Sequence, residues 1–171
     1  MGFNSLQDVF AEQLNDLRSA EEQLVDALPK MAGAASSEEL RKAFEEHLAQ
    51  TRGHLERIED LLATSGVART GEVCAGMKGL IEEGSKIVQA SGEPMAKDAA
   101  LIAAAQRVEH YEIAAYGTAK TLADQLGYDR AEELLDETLD EEANADKRLT
   151  KLATGGLFSG GINEEAAENG R

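Results

Sequence analysis

The sequence predicts an all-α protein, in which four long helices form a bundle and a shorter helix crosses over between two helical hairpins. The composition is 42% hydrophobic, with two prolines and no tryptophan in 171 residues, which is typical of an all-helical globular protein. Apolar residues recur at three- and four-residue spacing along four long segments, as amphipathic helices require. The chain is long enough for one domain with a substantial core, and short for two.

The first hairpin is predicted from the signals at its helix starts. Ser5 and Ser36 each precede an acidic residue by three positions, a pattern that caps the first turn of a helix. We expect helices over residues 5–34 and 36–65, and Gly66 ends the second of them. The apolar stripes include Phe10, Leu14, Leu17, Leu24 and Leu28 on the first helix, and Leu40, Phe44, Ile58 and Leu61 on the second.

The second hairpin follows a shorter connecting helix. This helix is predicted over residues 74–90, and its several glycines suit a crossover segment. It closes before Pro94, a residue that favours the first turn of a helix. The third long helix is expected over 95–126, with Gly127 as its stop, and the fourth over 129–154.

The spacing of polar residues relates the two hairpins. Glu21 to His54 spans 33 residues, and Glu109 to Glu142 also spans 33, as two hairpins of equal helix length would give. The 54 residues between His54 and Glu109 are too many for a short turn. Equal hairpins joined by one long connection are the arrangement of a ferritin-like four-helix bundle.

The chain divides at the end of the fourth helix. Residues 1–154 are expected to form the bundle domain. Residues 155–171 are rich in glycine and acidic side chains, so we expect a flexible tail there, with local docking of Leu157 and Phe158.

The formal net charge of −16 argues against several classes of partner. Binding to nucleic acid or to anionic membranes needs basic surface, so neither is expected. The single cysteine, Cys74, cannot form an intrachain disulfide or a multi-thiolate zinc site. The sequence shows no basic leader segment and no apolar run of membrane-spanning length, so we expect a soluble, cytoplasmic protein.

Ionisable and amide side chains interrupt the apolar stripe of every long helix. An anionic side chain is costly to bury unless a proton, a partner or a metal neutralises it, so coincident interruptions on four facing helices indicate a metal site. Such a site can hold two ions, and its hard ligands favour iron or manganese, with zinc as a further option. The candidate metal ligands are Glu21 on the first helix, His47, Gln50 and His54 on the second, Glu109 and Glu112 on the third, and Glu142 and Asp146 on the fourth.

Two other interpretations of the same residues remain open. Buried carboxylates and histidines can form a hydrogen-bonded network without any metal. Alternatively, the stripes are displaced by one position and the charges face water.

Several runs of the sequence resemble the YciF-type stress-protein family of ferritin-like proteins, over residues 5–153. The runs that carry the resemblance are Ser19–Leu24, Ala75–Gly84, Asp98–Gln106, Val108–Ile113 and Tyr116–Thr118. The resemblance implies a rubrerythrin-like bundle that self-associates as a homodimer, with a dinuclear metal centre and a role in stress response. The family ligands correspond to Glu21, Glu109, Glu112, Glu142 and Asp146.

One position departs from the family pattern. The family has a glutamate three residues after the histidine of the second helix, whereas this chain has Gln50 three residues after His47. A neutral amide is a poorer ligand than a carboxylate, and His54, one turn further on, is a candidate replacement. We expect a dinuclear iron or manganese centre that oxidises Fe(II) or reduces peroxide. The alternative is a non-catalytic helical stress or scaffold protein with a degenerate or structural metal site.

Overall fold

Within residues 2–156 and 160–169, which the computed structural model describes, the chain forms six α-helices. They are α1 (Leu6–Ala34), α2 (Glu38–Thr64), α3 (Ala75–Gln89), α4 (Pro94–Leu126), α5 (Asp129–Thr154) and α6 (Ile162–Asn169). The same residues contain no β-strand, so the prediction of an all-α protein is confirmed. The bounds of α1 to α5 agree with the predicted helices to within two residues. None of the described helices is both long and apolar enough to traverse a lipid bilayer.

The four long helices pack side by side around one interior. α1 lies along α2 and α4 lies along α5, which gives the two hairpins that the sequence predicts. α1 also contacts α4, and α2 contacts α5, so each long helix borders two others. The shorter helix α3 packs on α1 and α4.

The interior contains two apolar cores, which occupy different levels along the four long helices. The large core lies near the α1–α2 turn and includes side chains of α3, whereas the small core lies near the α4–α5 turn. Buried side chains of the large core include Leu24, Leu28, Leu40, Phe44, Met77, Leu101 and Ile102. Those of the small core include Phe10, Leu14, Leu17, Ile58, Leu61, Tyr116 and Leu135. The predicted apolar stripes of the first two helices are therefore buried as expected.

A buried carboxylate from α4 holds the start of α2. The N–H of Ser36 donates to Asp98 Oδ1 at 2.9 Å, and the N–H of Ser37 donates to Asp98 Oδ2 at 2.6 Å. The N-cap of α2 is Ser37, whose hydroxyl accepts from the Leu40 N–H. The predicted capping box at Ser36 is therefore wrong, because a residue 62 positions away in the sequence binds the Ser36 amide instead.

The end of the chain departs from the predicted flexible tail over 155–171. Residues Ile162–Asn169 form α6, which contacts α4 and α5. Ile162 is buried in the large core, and at the other end of α6 Asn169 Nδ2 donates to Glu93 Oε1 at 3.3 Å. The sequence pattern missed α6 because one apolar residue among glycines and glutamates gives no stripe. The expected docking of Leu157 and Phe158 concerns residues outside the described part of the chain.

Candidate metal centre

A layer of buried polar side chains separates the large core from the small core. On α1, for example, Glu21 lies between Leu17 of the small core and Leu24 of the large core. We call these residues the polar layer, and none of them is more than 6% exposed: Glu21, His47, Thr51, His54, Glu109, Glu112 and Glu142. The layer contains no lysine or arginine, so its four carboxyl groups have only the two histidines as cationic partners within it.

The potential ligand atoms of this layer form two groups that share one carboxylate. The His47 group is His47, Glu109, Glu112 and Glu142, and the His54 group is Glu21, His54 and Glu142. Within each group the ligand atoms lie within 4.8 Å of one another. The two groups are adjacent because Glu142 belongs to both, and each group could hold a metal ion.

The His47 group faces a cavity between α2 and α5. His47 Nε2 lies 3.4 Å from Glu109 Oε1 and 3.7 Å from Glu142 Oε2. The cavity has a volume of about 170 Å³, and His47 and Glu109 form part of its wall together with the exposed Gln50 and with Arg148. The cavity therefore reaches the edge of this half of the site, whose ligand atoms are themselves buried.

The His54 group is enclosed. His54, Glu21 and Glu142 are each 0% exposed. His54 Nδ1 lies 2.8 Å from Glu142 Oε1 and 3.5 Å from Glu21 Oε1, while its Nε2 lies 2.8 Å from Glu141 Oε2. The buried phenol of Tyr116 donates a hydrogen bond to Glu21 Oε1.

Many polar atoms of the layer have no hydrogen-bond partner. A buried, unpaired polar atom costs about 1–3 kcal/mol, and natural structures contain few of them. Here they cluster, because one locus holds Glu21 Oε2, His47 Nδ1 and Nε2, Glu109 Oε2, Glu142 Oε2 and both carboxylate oxygens of Glu112. Oxygen and imidazole nitrogen donors converging in this way fit a divalent iron or manganese ion, or zinc.

Burial raises the pKa values of three carboxyl groups in the layer. For Glu109 and Glu112 the pKa lies well above the ordinary value because of burial and then because of repulsion from Glu142. Burial also raises the pKa of Glu21, although its contacts with His54 oppose the rise. The fold therefore shifts each of these three groups towards its neutral, protonated form.

His54 and Glu142 behave as an ion pair. Burial acts to lower the pKa of His54, but its contacts with Glu142 and Glu21 outweigh burial and raise that pKa to about 10. Burial acts to raise the pKa of Glu142, but its contact with His54 outweighs burial and lowers it. For His47, burial dominates and lowers the pKa. His54 thus carries a proton that a metal would have to replace. Burial favours the neutral form of His47, which can act as a ligand.

The structure brings together most of the candidate ligands predicted from the sequence. The six residues that meet in the polar layer come from all four long helices: Glu21, His47, His54, Glu109, Glu112 and Glu142.

Asp146 does not join either group of ligands. It accepts a hydrogen bond from Gln106 at 2.9 Å and lies 3.4 Å from His110 Nε2, with its side chain 20% exposed. Gln50 is exposed at the wall of the same cavity as His47 and Glu109, and its role as a ligand stays a prediction.

Sequence reasoning missed Glu141 and Arg57. Glu141 contacts His54 Nε2, and Arg57 Nη1 donates to Glu141 Oε2 at 2.6 Å. Glu141 and Arg57 each lie beside the apolar stripe of their helix rather than on it, and the sequence analysis considered only residues on the stripes. The available signal was that Arg57 follows His54 by three residues, on the same side of α2.

Comparison with known proteins places the chain in a family. A family model described as a domain of unknown function, DUF892, matches residues 5–167. Protein YciF of Escherichia coli (strain K12) is 48% identical over 154 residues, which cover 90% of this chain and 93% of that protein.

Two solved structures share the fold over most of their length. The crystal structure of the E. coli stress protein YciF superposes with a TM-score of 0.85, covering 88% of this chain and 95% of that one. YcfI from Rhodopseudomonas palustris is 35% identical and superposes with a TM-score of 0.83, covering 88% and 96% of the two chains. The chain therefore belongs to the DUF892 family, and its resemblance to the YciF-type stress proteins is confirmed.

Proposed function

We propose that this protein is a ferritin-like, metal-binding stress protein whose polar layer holds two ions, iron or manganese, with zinc as a further option. The observation that carries the proposal is the cluster of unpaired ligand atoms from four helices, enclosed between two apolar cores. The packing of the four long helices around this cluster supports the ferritin-like bundle. The stress role follows from the relative that is described as a stress protein.

Each residue of the layer has a distinct part in this proposal. Glu142 belongs to both groups of ligands, so it would be the shared ligand, while His47 and His54 would each supply nitrogen to one position. Burial raises the pKa values of Glu109 and Glu112, and a bound cation would favour the charged carboxylates that act as ligands. The apolar cores on both sides limit the access of water to the locus. A pair of iron or manganese ions would supply the capacity to oxidise Fe(II) or to reduce peroxide.

Metal-dependent stability tests this proposal. An ion that binds only the folded protein stabilises it by about 2.7 kcal/mol when the free ion is about a hundredfold above its dissociation constant. We expect Fe(II), added anaerobically, and Mn(II) to raise the melting temperature of the apo-protein. The double variant Glu109→Ala with Glu142→Ala should fold but lose this response.

A matched control removes the same charge from the same two helices. Asp124 and Glu133 are exposed on α4 and α5, so the variant Asp124→Ala with Glu133→Ala should keep the full metal response. Metal analysis of freshly purified protein should find two ions per chain. If neither ion stabilises the native protein more than the Glu109/Glu142 variant, the non-catalytic scaffold replaces the metal centre as the best account.

Self-association is a separate proposal. The family resemblance implies a homodimer, and the net charge of −16 opposes contact between acidic surfaces, so the interface should be largely apolar. Sedimentation at micromolar concentration should find a dimer, and a monomer would contradict this proposal without affecting the metal site.

A further inference from the structure

Glu141 connects the metal centre to a network of charged side chains at the surface. Its Oε2 accepts from His54 Nε2 at 2.8 Å and from Arg57 Nη1 at 2.6 Å, and its Oε1 accepts from Arg57 Nη2 at 3.3 Å. Arg57 is itself held on α5, since it also donates to Thr138 Oγ1 at 3.1 Å and to Glu137 Oε1 at 2.6 Å. Four side chains thus fix the position of one histidine nitrogen.

This contact determines which nitrogen His54 offers to an ion. The carboxylate of Glu141 has only acceptor capacity and already accepts from Arg57, so the hydrogen in the His54 contact lies on Nε2. The opposite nitrogen, Nδ1, faces Glu142 at 2.8 Å and Glu21 at 3.5 Å. When its own hydrogen is displaced, Nδ1 presents a lone pair to those two carboxylates.

The other histidine of the layer has no such support. His47 presents the opposite nitrogen, Nε2, to Glu109 and Glu142. Among the described residues, neither ring nitrogen of His47 has a hydrogen-bond partner, and the ring borders the open cavity. The two metal positions therefore differ in how firmly their nitrogen ligand is oriented.

We propose that Glu141, held by Arg57, is a positioning residue that presents Nδ1 of His54 to a metal ion and so strengthens metal binding at the His54 group. The proposal rests on the proposed function. A ligand whose orientation is fixed before binding loses less freedom when the ion arrives, so Glu141 raises the affinity of the His54 position.

Calorimetric titration of the full-length apo-protein with Zn(II) tests the proposal. The native protein should show two classes of site. Removal of an outer carboxylate that orients a metal-binding histidine weakens binding by about 10–100-fold. Glu141→Ala should therefore weaken one of the two classes by that factor and leave the other unchanged. Glu141→Gln, whose amide oxygen can still accept from Nε2, should retain most of the affinity.

Glu137 provides the matched control, because it also binds Arg57 and lies one turn away on α5 but does not contact His54. Glu137→Ala should leave both classes of site unchanged. Arg57→Leu leaves Glu141 in place without its support, and it should weaken the same class as Glu141→Ala. If Glu141→Ala does not fold, Arg57→Leu and Glu141→Gln decide the question.

Nitrogen-15 NMR of the histidines supplies a readout that loss of stability would not mimic. In the zinc-loaded protein, His54 should carry its hydrogen on Nε2 and the metal on Nδ1. In the apo-protein, the Nε2 hydrogen should exchange slowly with solvent, and Glu141→Ala should abolish this protection. Metal on Nε2, an equal loss at both positions, or the same loss in Glu137→Ala would overturn the proposal. Absence of zinc binding by the native protein would instead overturn the proposed function, while the apo-protein spectrum would still report on Glu141.

Discussion

The polar layer and the apolar cores on either side of it are equally buried but are built on opposite principles. In the cores, close-packed aliphatic and aromatic side chains leave water, and this transfer stabilises the fold. In the layer, four carboxyl groups and two imidazoles leave water with many of their polar atoms unpaired. That burial costs free energy in the metal-free protein.

The difference shows which part of the interior serves stability and which part serves binding. A chain under selection for stability alone has no use for Glu112, whose two oxygens are buried without partners. The two cores supply the free energy that offsets the cost of the layer. We therefore expect substitutions in the cores and in the layer to change the stability of the apo-protein in opposite directions.

The largest effects should come from truncation in the apolar cores. Leu14 in the small core and Leu101 in the large core are each 0% exposed. Either Leu→Ala substitution should lower the free energy of unfolding by about 2–5 kcal/mol, because it removes buried methyl groups and leaves a cavity. Urea unfolding followed by circular dichroism measures the loss. A loss below about 1 kcal/mol at either site would show that the core concerned does not stabilise the bundle.

The opposite sign is expected in the polar layer. Glu112→Leu should raise the free energy of unfolding of the apo-protein by about 1–3 kcal/mol, since it removes a buried, unpaired carboxyl group without a large change of volume. The same urea experiment, with metal removed by chelation, measures the gain. Glu133→Leu, at an exposed position of α5, serves as the control for a change in hydrophobicity. A destabilised Glu112→Leu protein would mean that the carboxyl group has a structural partner.

A further difference between the polar layer and the apolar cores is that titrating groups of the layer should make the stability of the apo-protein depend on pH. Because the pKa values of Glu109 and Glu112 are raised in the folded state, the folded protein holds more protons than the unfolded chain, and stability falls as pH increases through the folded pKa values. His54 acts in the same direction between its ordinary pKa of 6.5 and its folded value of about 10. The free energy of unfolding should therefore be lower at pH 9 than at pH 7.

The variant Glu109→Gln with Glu112→Gln removes these two carboxyl groups and retains His54. Its stability should fall less between the same two pH values. An equal fall in the variant and the native protein would show that Glu109 and Glu112 do not titrate in this range.

The smallest effects should come from backbone positions outside both regions. Gly127 ends α4 with φ +71°, so Gly127→Ala should cost about 1 kcal/mol by placing a side chain in the left-handed region. Gly117 lies within α4, and no atom would crowd an added Cβ, so Gly117→Ala should stabilise by about 0.5–1 kcal/mol. Thermal unfolding of both variants measures these two changes in stability. The same sign at both positions would show that the backbone conformation is not the cause.

The sequence predicted the helices and the level of the site because both follow from local pattern. Apolar residues at helical spacing fixed the stripes, and the interruption of each stripe by Glu21, His54, Glu109 or Glu142 marked the polar layer. Equal spacing in the two hairpins then related those interruptions to one another. These signals need only the geometry of a helix and the cost of burying charge.

The remaining features depend on contacts between distant segments. The direction of Asp146 and the exposure of Gln50 are set by how far each helix is rotated against its neighbours, which periodicity does not determine to within one residue. α6 packs on α4 and α5, with Ile162 buried in the large core. The support of His54 by Glu141 spans 87 positions in the sequence. The metal ions, their identity and the dimer remain predictions.

The hydrogen bonds from Ser36 and Ser37 to Asp98 also have a consequence for the order of folding. The first turn of α2 is completed by a carboxylate that arrives with α4, so the amino-terminal hairpin cannot finish its own turn before the carboxy-terminal hairpin docks. Closing a loop of this length is slow relative to forming a helix. The two hairpins are therefore kinetically interdependent, and the turn between α1 and α2 should be among the last backbone segments to gain protection during refolding.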